Sequence, residues 1–320
     1  MPAQQKALIV PYKQGPFVIR AIDILTPGFG ELLVKVESST LNPVDWKIQM
    51  CGIFIREYPA VLGLDTAGIV VGFSRGVSGF AISDRVFTEG AFDNAHATFH
   101  NIPYKLSFDD AALLPVSVVT AALSLFNRDD PASSAALFPP WERSGRGKYA
   151  GKPMMIFGGT TSVGQIVIQL AKLSGFSPVI VTASLHNAKL LKSYGVTHIL
   201  NRRLSASELR SAITDIMSLS VQTVYDAVGL RDTQNAAYDI LTASGTLVVI
   251  LDDAVDPEKK TPEKKIVHAE GDTYAVENRR TSASLFRQLV SLLEWGLIKV
   301  SKISSVCAGV CTYMFLVESC

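Results

Sequence analysis

The 320-residue chain carries 30 basic and 29 acidic side chains, a formal charge of +1 at pH 7, so no bulk field draws it to nucleic acid or an anionic membrane. A small molecule is the default partner. Hydrophobic residues make up 48% and charged residues 18%, which suits two α/β-type domains whose central strands are covered on both faces.

The four cysteines, Cys51, Cys307, Cys311 and Cys320, form no disulfide framework, and no second pair or nearby His completes a zinc site around Cys307 and Cys311. The run from Met1 to Val10 lacks the apolar core of a leader, and no stretch is expected to reach the ~18 apolar residues of a membrane span. A reducing, cytoplasmic setting is the expectation.

Along the first hundred residues, short strands are predicted at Ala7 to Val10, Phe17 to Ile24, Leu32 to Val36, Gly68 to Phe73 and Arg85 to Thr88, punctuated by Pro27, Gly28 and Gly30. This pattern favours a β-barrel or rolled sheet. His96 and His100 have metal-like spacing only on a helix, whereas Ala95 to Ile102 reads as a strand, so a structural or surface role is expected. Ser107 followed by Asp110 predicts a capped helix start, and the apolar run carries that helix to Phe126. Residues 127 to 152, with Pro131, Pro139 and Pro140, lack periodicity and read as an exposed excursion.

From Met154 the pattern alternates. Strands at Met154 to Phe157, Val179 to Thr182, His198 to Leu200, Thr223 to Ala227 and Thr246 to Leu251 are separated by helices at Val163 to Ser174, Asn187 to Tyr194, Glu208 to Met217 and Thr233 to Leu241. This predicts a five-stranded, doubly wound parallel sheet. Residues 252 to 265 are charged and read as a solvated loop. A last helix, Ser282 to Trp295, sets Leu285, Phe286, Leu289, Leu292 and Leu293 on one face.

Between the first strand of that sheet and its helix stands Gly158-Gly159-Thr160-Thr161-Ser162-Val163-Gly164. The bare backbones of Gly158 and Gly159 are expected to admit a pyrophosphate, with the helix N-terminus favouring its charge, and Gly164 to let helix and strand pack closely. After the second strand comes Ser184, with no Asp or Glu to hold the adenosine ribose hydroxyls of NAD. Ser184, His186, Asn187 and Lys189 can donate hydrogen bonds there, and Arg202 or Arg203 adds positive charge, which favours NADPH over NADH. Ser184 and Asn187 can also be helix caps, and the two arginines ordinary surface residues.

Four strings together carry a resemblance: Leu41-Asn42-Pro43-Val44-Asp45-Trp46-Lys47, Tyr58 to Gly68, Gly79 to Phe87 and Phe157 to Lys172. With them the chain resembles the medium-chain dehydrogenase/reductase superfamily over roughly residues 6 to 300, specifically the zinc-free fungal branch that includes trans-acting polyketide enoyl reductases. The resemblance implies a GroES-like β-barrel catalytic domain, residues 1 to 124 with 283 to 320 packing back on it, and a Rossmann NADP-binding domain, 125 to 282. Zinc-using relatives place a Cys in the first string and a Gly-His-Glu in the second; here the positions read Asn42 to Asp45 and Gly63-Leu64-Asp65, so no three-ligand metal site is expected.

The reaction then implied by the resemblance is NADPH-dependent reduction of an activated C=C in an enoyl thioester or enone, with a polyketide synthase as the expected carrier. By resemblance, Lys47 and Thr120 line the nicotinamide and the acyl thioester, and Asn42 orients the nicotinamide. Val44, Asp45, Trp46 and Lys47 join the cofactor-binding set, with Asp45 and Trp46 supporting the pocket wall. Lys47 can instead be a solvated helix lysine, and Thr120 a hydroxyl bonded to a preceding carbonyl. Tyr58 is either a proton donor or an interfacial aromatic before a structural proline, and Asp226 shapes the cofactor loop.

The tail from Val306 to Cys320 departs from the family pattern and reads as a truncated or aberrant end, and Asn201-Arg202 stands where Asp-Tyr is common. Quinone or small-enone reduction, and a non-catalytic NADPH-binding role, are the competing expectations.

Overall fold

Alternation of buried and open side chains along Gln4–Val10 makes β1 a half-buried strand, paired antiparallel with β2, Val18–Asp23. The computed structural model describes residues 3–90, 97–217 and 220–300 and divides into two units, the first made of the residues up to Val116 together with Val300 and the second running from Ser117 to Lys299. The first unit continues with β3 Leu32–Thr40, α1 Pro43–Cys51, β4 Ala60–Val61, β5 Asp65–Phe73, β6 Arg85–Gly90, β7 Ala97–Asn101 and α2 Phe108–Ala112. It forms two antiparallel sheets, ordered β2-β1-β4 and β3-β5-β6-β7.

Leu32, Val34, Val70, Val86 and Phe99 form a core on the four-stranded sheet. The β3 to β5 approach there is too close for a side chain at Gly68, where a Cβ would lie 2.2 Å from the Lys35 carbonyl oxygen. Register shifts at Leu33/Val34 and Val36/Ser38 accommodate it.

Ser107 caps α2, its hydroxyl accepting the Asp110 N–H at 3.0 Å. The helix does not run unbroken to Phe126. It stops at Ala112 and restarts as α3, Pro115–Phe126, because Pro115 has no N–H to give and its ring clashes with a continuing helix; at the first turn of a new helix it is tolerated. The span Phe108–Phe126 is long and apolar enough for a membrane crossing by length and composition, which corrects the expectation that no stretch is; 67% of it is buried inside the protein.

The second unit holds β8 Met154–Phe157, α4 Ser162–Ser174, β9 Val179–Ala183, α5 Ala188–Tyr194, β10 His198–Asn201, α6 Ala206–Ile216, β11 Val221–Asp226, α7 Arg231–Ile240, β12 Leu241–Val249, β13 Lys265–His268 and α8 Arg279–Glu294. Its sheet is parallel throughout, in the order β10-β9-β8-β11-β12-β13. This is the doubly wound arrangement expected, with six strands instead of five. The extra strand, β13, begins at the end of a charged loop and offers only Ile266 and Val267 as a strand signal, and its pairing with β12 supplies the rest.

Residues 127–152 form no helix or strand, yet they are no exposed excursion. Asn127, Ser134 and Trp141 are buried, Trp141 meets Phe126 edge to face at 5.3 Å, and Tyr149 stacks on Phe176 at 4.9 Å. Aromatic anchors without periodicity hold this segment down.

The α8 face of Leu285, Phe286, Leu289, Leu292 and Leu293 is buried as expected, but within the second unit. Thr281 Oγ1 donates to Asn127 Oδ1 at 3.1 Å, Trp141 Nε1 to Ser284 Oγ at 3.2 Å, and the Lys299 N–H to Gln169 Oε1 at 2.7 Å. These bonds lie within the second unit, which takes in residues 283 to 299, and the boundary between the units falls in the first turn of α3 instead of at 124. His96, and the tail with Cys307, Cys311 and Cys320, lie outside the described residues.

Candidate functional site

Every residue of β8 is buried, and the chain leaves it through Gly158 at φ 76°, a left-handed turn that glycine adopts without strain. The Gly158 N–H donates to Thr182 Oγ1 at 3.2 Å and the Gly159 N–H to the Thr182 carbonyl at 3.1 Å, which ties the turn to β9. Thr161 then caps α4, its hydroxyl accepting the Gly164 N–H at 2.9 Å and donating to the Gly158 carbonyl at 3.0 Å. Gln165 Nε2 fixes the Thr160 carbonyl at 3.0 Å.

A Cβ on Gly158 would lie 2.7 Å from a Val228 methyl, and one on Gly159 3.0 Å from Val181 Cβ. Packing against Val228 and Val181 thus already requires glycine at both positions. Thr160, Thr161, Ser162 and Val163 are half-buried at the N-terminal end of the 13-residue α4, the end of a helix that carries partial positive charge.

This turn lies at the carboxyl edge of the sheet, where β8 and β11 are neighbours and the chain order reverses. Asp226, at the end of β11 and level with Phe157, accepts the N–H groups of Val228 at 2.9 Å and Gly229 at 3.3 Å and the Thr233 hydroxyl at 2.8 Å. Burial pushes its carboxyl up against the pull of these bonds. It fixes the loop whose Val228 packs on Gly158.

At the end of β9, Ser184 is half-buried, and neither its hydroxyl nor the Asn187 amide caps the turn or helix that follows. Asn187 Nδ2 meets His186 Nε2 at 3.2 Å. The Arg202 N–H donates to the Ala183 carbonyl at 3.1 Å, so the exposed Arg202 side chain starts beside Ser184. Among the described residues Lys189, Arg202 and Arg203 make no ion pair. The structure thus brings the Gly158 to Gly164 turn, Ser184 and Arg202 to one edge of three adjacent strands.

On α3, Thr120 is half-buried and its hydroxyl is not bonded to a preceding carbonyl; Ser124 Oγ instead donates to the Thr120 carbonyl at 2.6 Å. The Thr120 hydroxyl lies 2.5 Å from where a Cβ on Gly271 would be, so the chain passes it closely there.

In the first unit, Asn42 begins α1 ahead of Pro43, and Asp45 turns back to accept the Asn42 N–H at 2.6 Å. The Asn42 side-chain amide donates to Asp65 Oδ2 at 2.9 Å, while Asp65 Oδ1 accepts the Val116 N–H at 2.8 Å. Burial pushes Asp65 up to about 7 against the pull of both bonds, and the Asp45 charge adds to the rise. Asp45 is raised by burial too. Val44 and Lys47 are half-buried and Trp46 is exposed; the Lys47 ammonium lies 5.9 Å from the Trp46 ring and makes no ion pair among the described residues. The Tyr58 phenol oxygen is buried with no hydrogen-bond partner among the described residues.

Sequence reasoning missed Asp65 and Thr182. Asp65 had a signal: a lone carboxylate inside the apolar run Ala60 to Gly68 needs a partner if the run is a buried strand. Thr182 had none, because its bonds are set by the turn of another strand.

Residues 28–104 match the alcohol dehydrogenase GroES-like domain, and residues 162–274 match the zinc-binding dehydrogenase family. Dehydrogenase azaJ of Aspergillus niger is 34% identical over 61% of this chain and 59% of its own length. Trans-enoyl reductase himH of Aspergillus japonicus is 33% identical over 69% of this chain and 66% of its own, and lovC of Aspergillus terreus, the enoyl reductase component of lovastatin nonaketide synthase, 31% over 63% and 57%. The chain spans about three fifths of the length of these relatives. An alcohol dehydrogenase superfamily protein from Novosphingobium aromaticivorans shares the fold at 23% identity and TM-score 0.74, covering 92% of this chain and 88% of that one. The CurK enoyl reductase does so at 20% and 0.71, covering 93% and 90%. The chain belongs to the medium-chain dehydrogenase/reductase superfamily, with a GroES-like domain and a Rossmann-like domain, and has fungal trans-enoyl reductases among its relatives.

Proposed function

We propose that the protein is an NADPH-dependent, zinc-independent oxidoreductase that reduces an activated C=C in an enoyl thioester or enone. The observation that carries the cofactor is the joint placement of the α4 N-terminus, at Thr160 to Val163, with Ser184 after β9 and Arg202 after β10, whose backbone N–H bonds the last residue of β9. A 2′-phosphate suits a hydroxyl and a guanidinium, and β9 ends without the carboxylate that would repel it.

When bound, NADPH would supply a hydride for the β-carbon of the acceptor, and a proton from solvent would complete the reduction at the α-carbon. Lys47, half-buried and without an ion pair among the described residues, stabilises the negative charge that develops on the carbonyl oxygen. Asn42 orients the nicotinamide, and the Thr120 hydroxyl donates to the acyl group. The first two strings offer Asn42, Asp45, Leu64 and Asp65 in place of thiolate and imidazole, and their two carboxylates are already taken up by the Asn42 and Val116 donors, which does not fit a three-ligand catalytic zinc. An activated C=C is compatible with this set, since its electron withdrawal is built into the substrate.

The relatives named as trans-enoyl reductases, and lovC as the component of a synthase, support a thioester delivered on a polyketide synthase. Comparing NADPH oxidation with a crotonyl thioester and with a quinone tests the reading. Faster thioester turnover supports it, and turnover of the quinone alone replaces it with quinone reduction.

A further inference from the structure

We infer that Asp65 is a positioning residue, which sets the direction in which Asn42 presents its side-chain amide and so how the nicotinamide is received. The inference rests on the proposed role of Asn42 toward NADPH. Asp65 is 1% exposed at the start of β5, level with Thr40 of β3 and Glu89 of β6, and its own carbonyl accepts the Ser39 hydroxyl at 2.8 Å. Its backbone is thus held on both sides.

A carboxyl so deeply buried is tolerated when its oxygens are engaged, and each Asp65 oxygen has a donor from a different segment. Oδ1 takes the Val116 N–H at 2.8 Å, one of the unpaired donors at the start of α3, where the helix dipole favours an anion. Oδ2 takes the Asn42 amide nitrogen at 2.9 Å. The Asn42 backbone N–H is held separately by Asp45 at 2.6 Å, so rotation of the side-chain amide is the freedom Asp65 removes. With the nitrogen committed to Asp65, the amide oxygen is turned the other way.

Asp65→Asn keeps the volume and reverses this logic. An amide at position 65 that accepts from Val116 turns its NH2 toward the NH2 of Asn42, so Asn42 must flip and present nitrogen where it presented oxygen. The reciprocal pair Asn42→Asp with Asp65→Asn restores donor to acceptor between the two positions and again presents an oxygen.

The test measures NADPH affinity by nicotinamide fluorescence for the full chain, Asp65→Asn, Asn42→Ala and the reciprocal pair, with urea denaturation of each. Side-chain amide exchange is followed by NMR on protein labelled with 15N-asparagine in the absence of NADPH. The expected result is a protected Asn42 amide that loses protection in Asp65→Asn, an affinity about tenfold weaker in each single variant, and recovery in the reciprocal pair. An unprotected Asn42 amide in the unaltered protein overturns the inference, as does an Asp65→Asn variant that folds and binds NADPH normally, or a reciprocal pair that folds but binds no better than Asp65→Asn. Tight NADPH binding without thioester reduction counts against the enoyl-reductase reading and leaves the amide and affinity results to decide on Asp65.

Discussion

The carbonyl oxygen of Gly158 lies 2.2 Å from the point where a Cβ on Gly164 would sit, so the end of β8 and the first turn of α4 approach more closely than any side chain permits. The obstructing atom is backbone, held by the Thr161 hydroxyl, and cannot swing aside. Gly164→Ala is therefore expected to lower stability by about 1 to 3 kcal/mol and to weaken NADPH binding with it. Urea denaturation and cofactor titration check this; a variant with unchanged midpoint and affinity would show that the helix can yield.

The parallel sheet was legible because β8 and β9 are short, almost wholly apolar runs and helices alternate with the strands, and the Gly158 to Gly164 turn because its glycines sit where strand becomes helix. What stayed hidden has two physical causes. Segments without periodicity, such as Pro131 to Lys152 and β13, acquire their burial from Trp141, Tyr149 and a neighbouring strand, and no local pattern encodes that. The links of Asp65 to Asn42 and Val116 are separated by 23 and 51 residues, beyond the reach of spacing rules. Pro115, by contrast, was in plain view and divides the helix for a local reason.

Asp65 and His100 give the protein opposed pH dependences. Burial raises Asp65 to about 7, so between about pH 4 and 7 the unfolded chain has lost a proton that the folded protein keeps, and stability falls as pH rises, by up to about 4 kcal/mol. Burial lowers His100 to about 4, so below about pH 6.5 the unfolded chain takes up a proton that the folded protein refuses, and stability falls as pH drops. Denaturation of the unaltered protein and Asp65→Asn across pH 4.5 to 7.5 should show their stability difference shifting in favour of the variant as pH rises. A difference independent of pH would contradict the account.

Lys47→Ala removes the ammonium assigned to the developing charge while leaving α1 and its Asn42 start intact. The expected loss in kcat is about 10²- to 10³-fold, with NADPH affinity changed little. Stopped-flow single-turnover measurements separate the two quantities. An affinity loss with unchanged kcat would make Lys47 a binding residue instead.

Arg202→Ala should reduce discrimination between the two nicotinamide cofactors. Losing one charge-assisted contact to the 2′-phosphate corresponds to roughly tenfold in NADPH affinity with NADH unaffected. Parallel titrations with both cofactors check this, and equal losses for the two would assign Arg202 to the pyrophosphate or to the fold.

The central claim is tested most directly by titrating the protein with NADPH and NADH, following nicotinamide fluorescence, and then adding a crotonyl thioester. The account predicts saturable binding with NADPH preferred, followed by oxidation of NADPH that depends on the thioester. Equal or stronger binding of NADH, or bound NADPH that no enoyl thioester or enone oxidises, would contradict it.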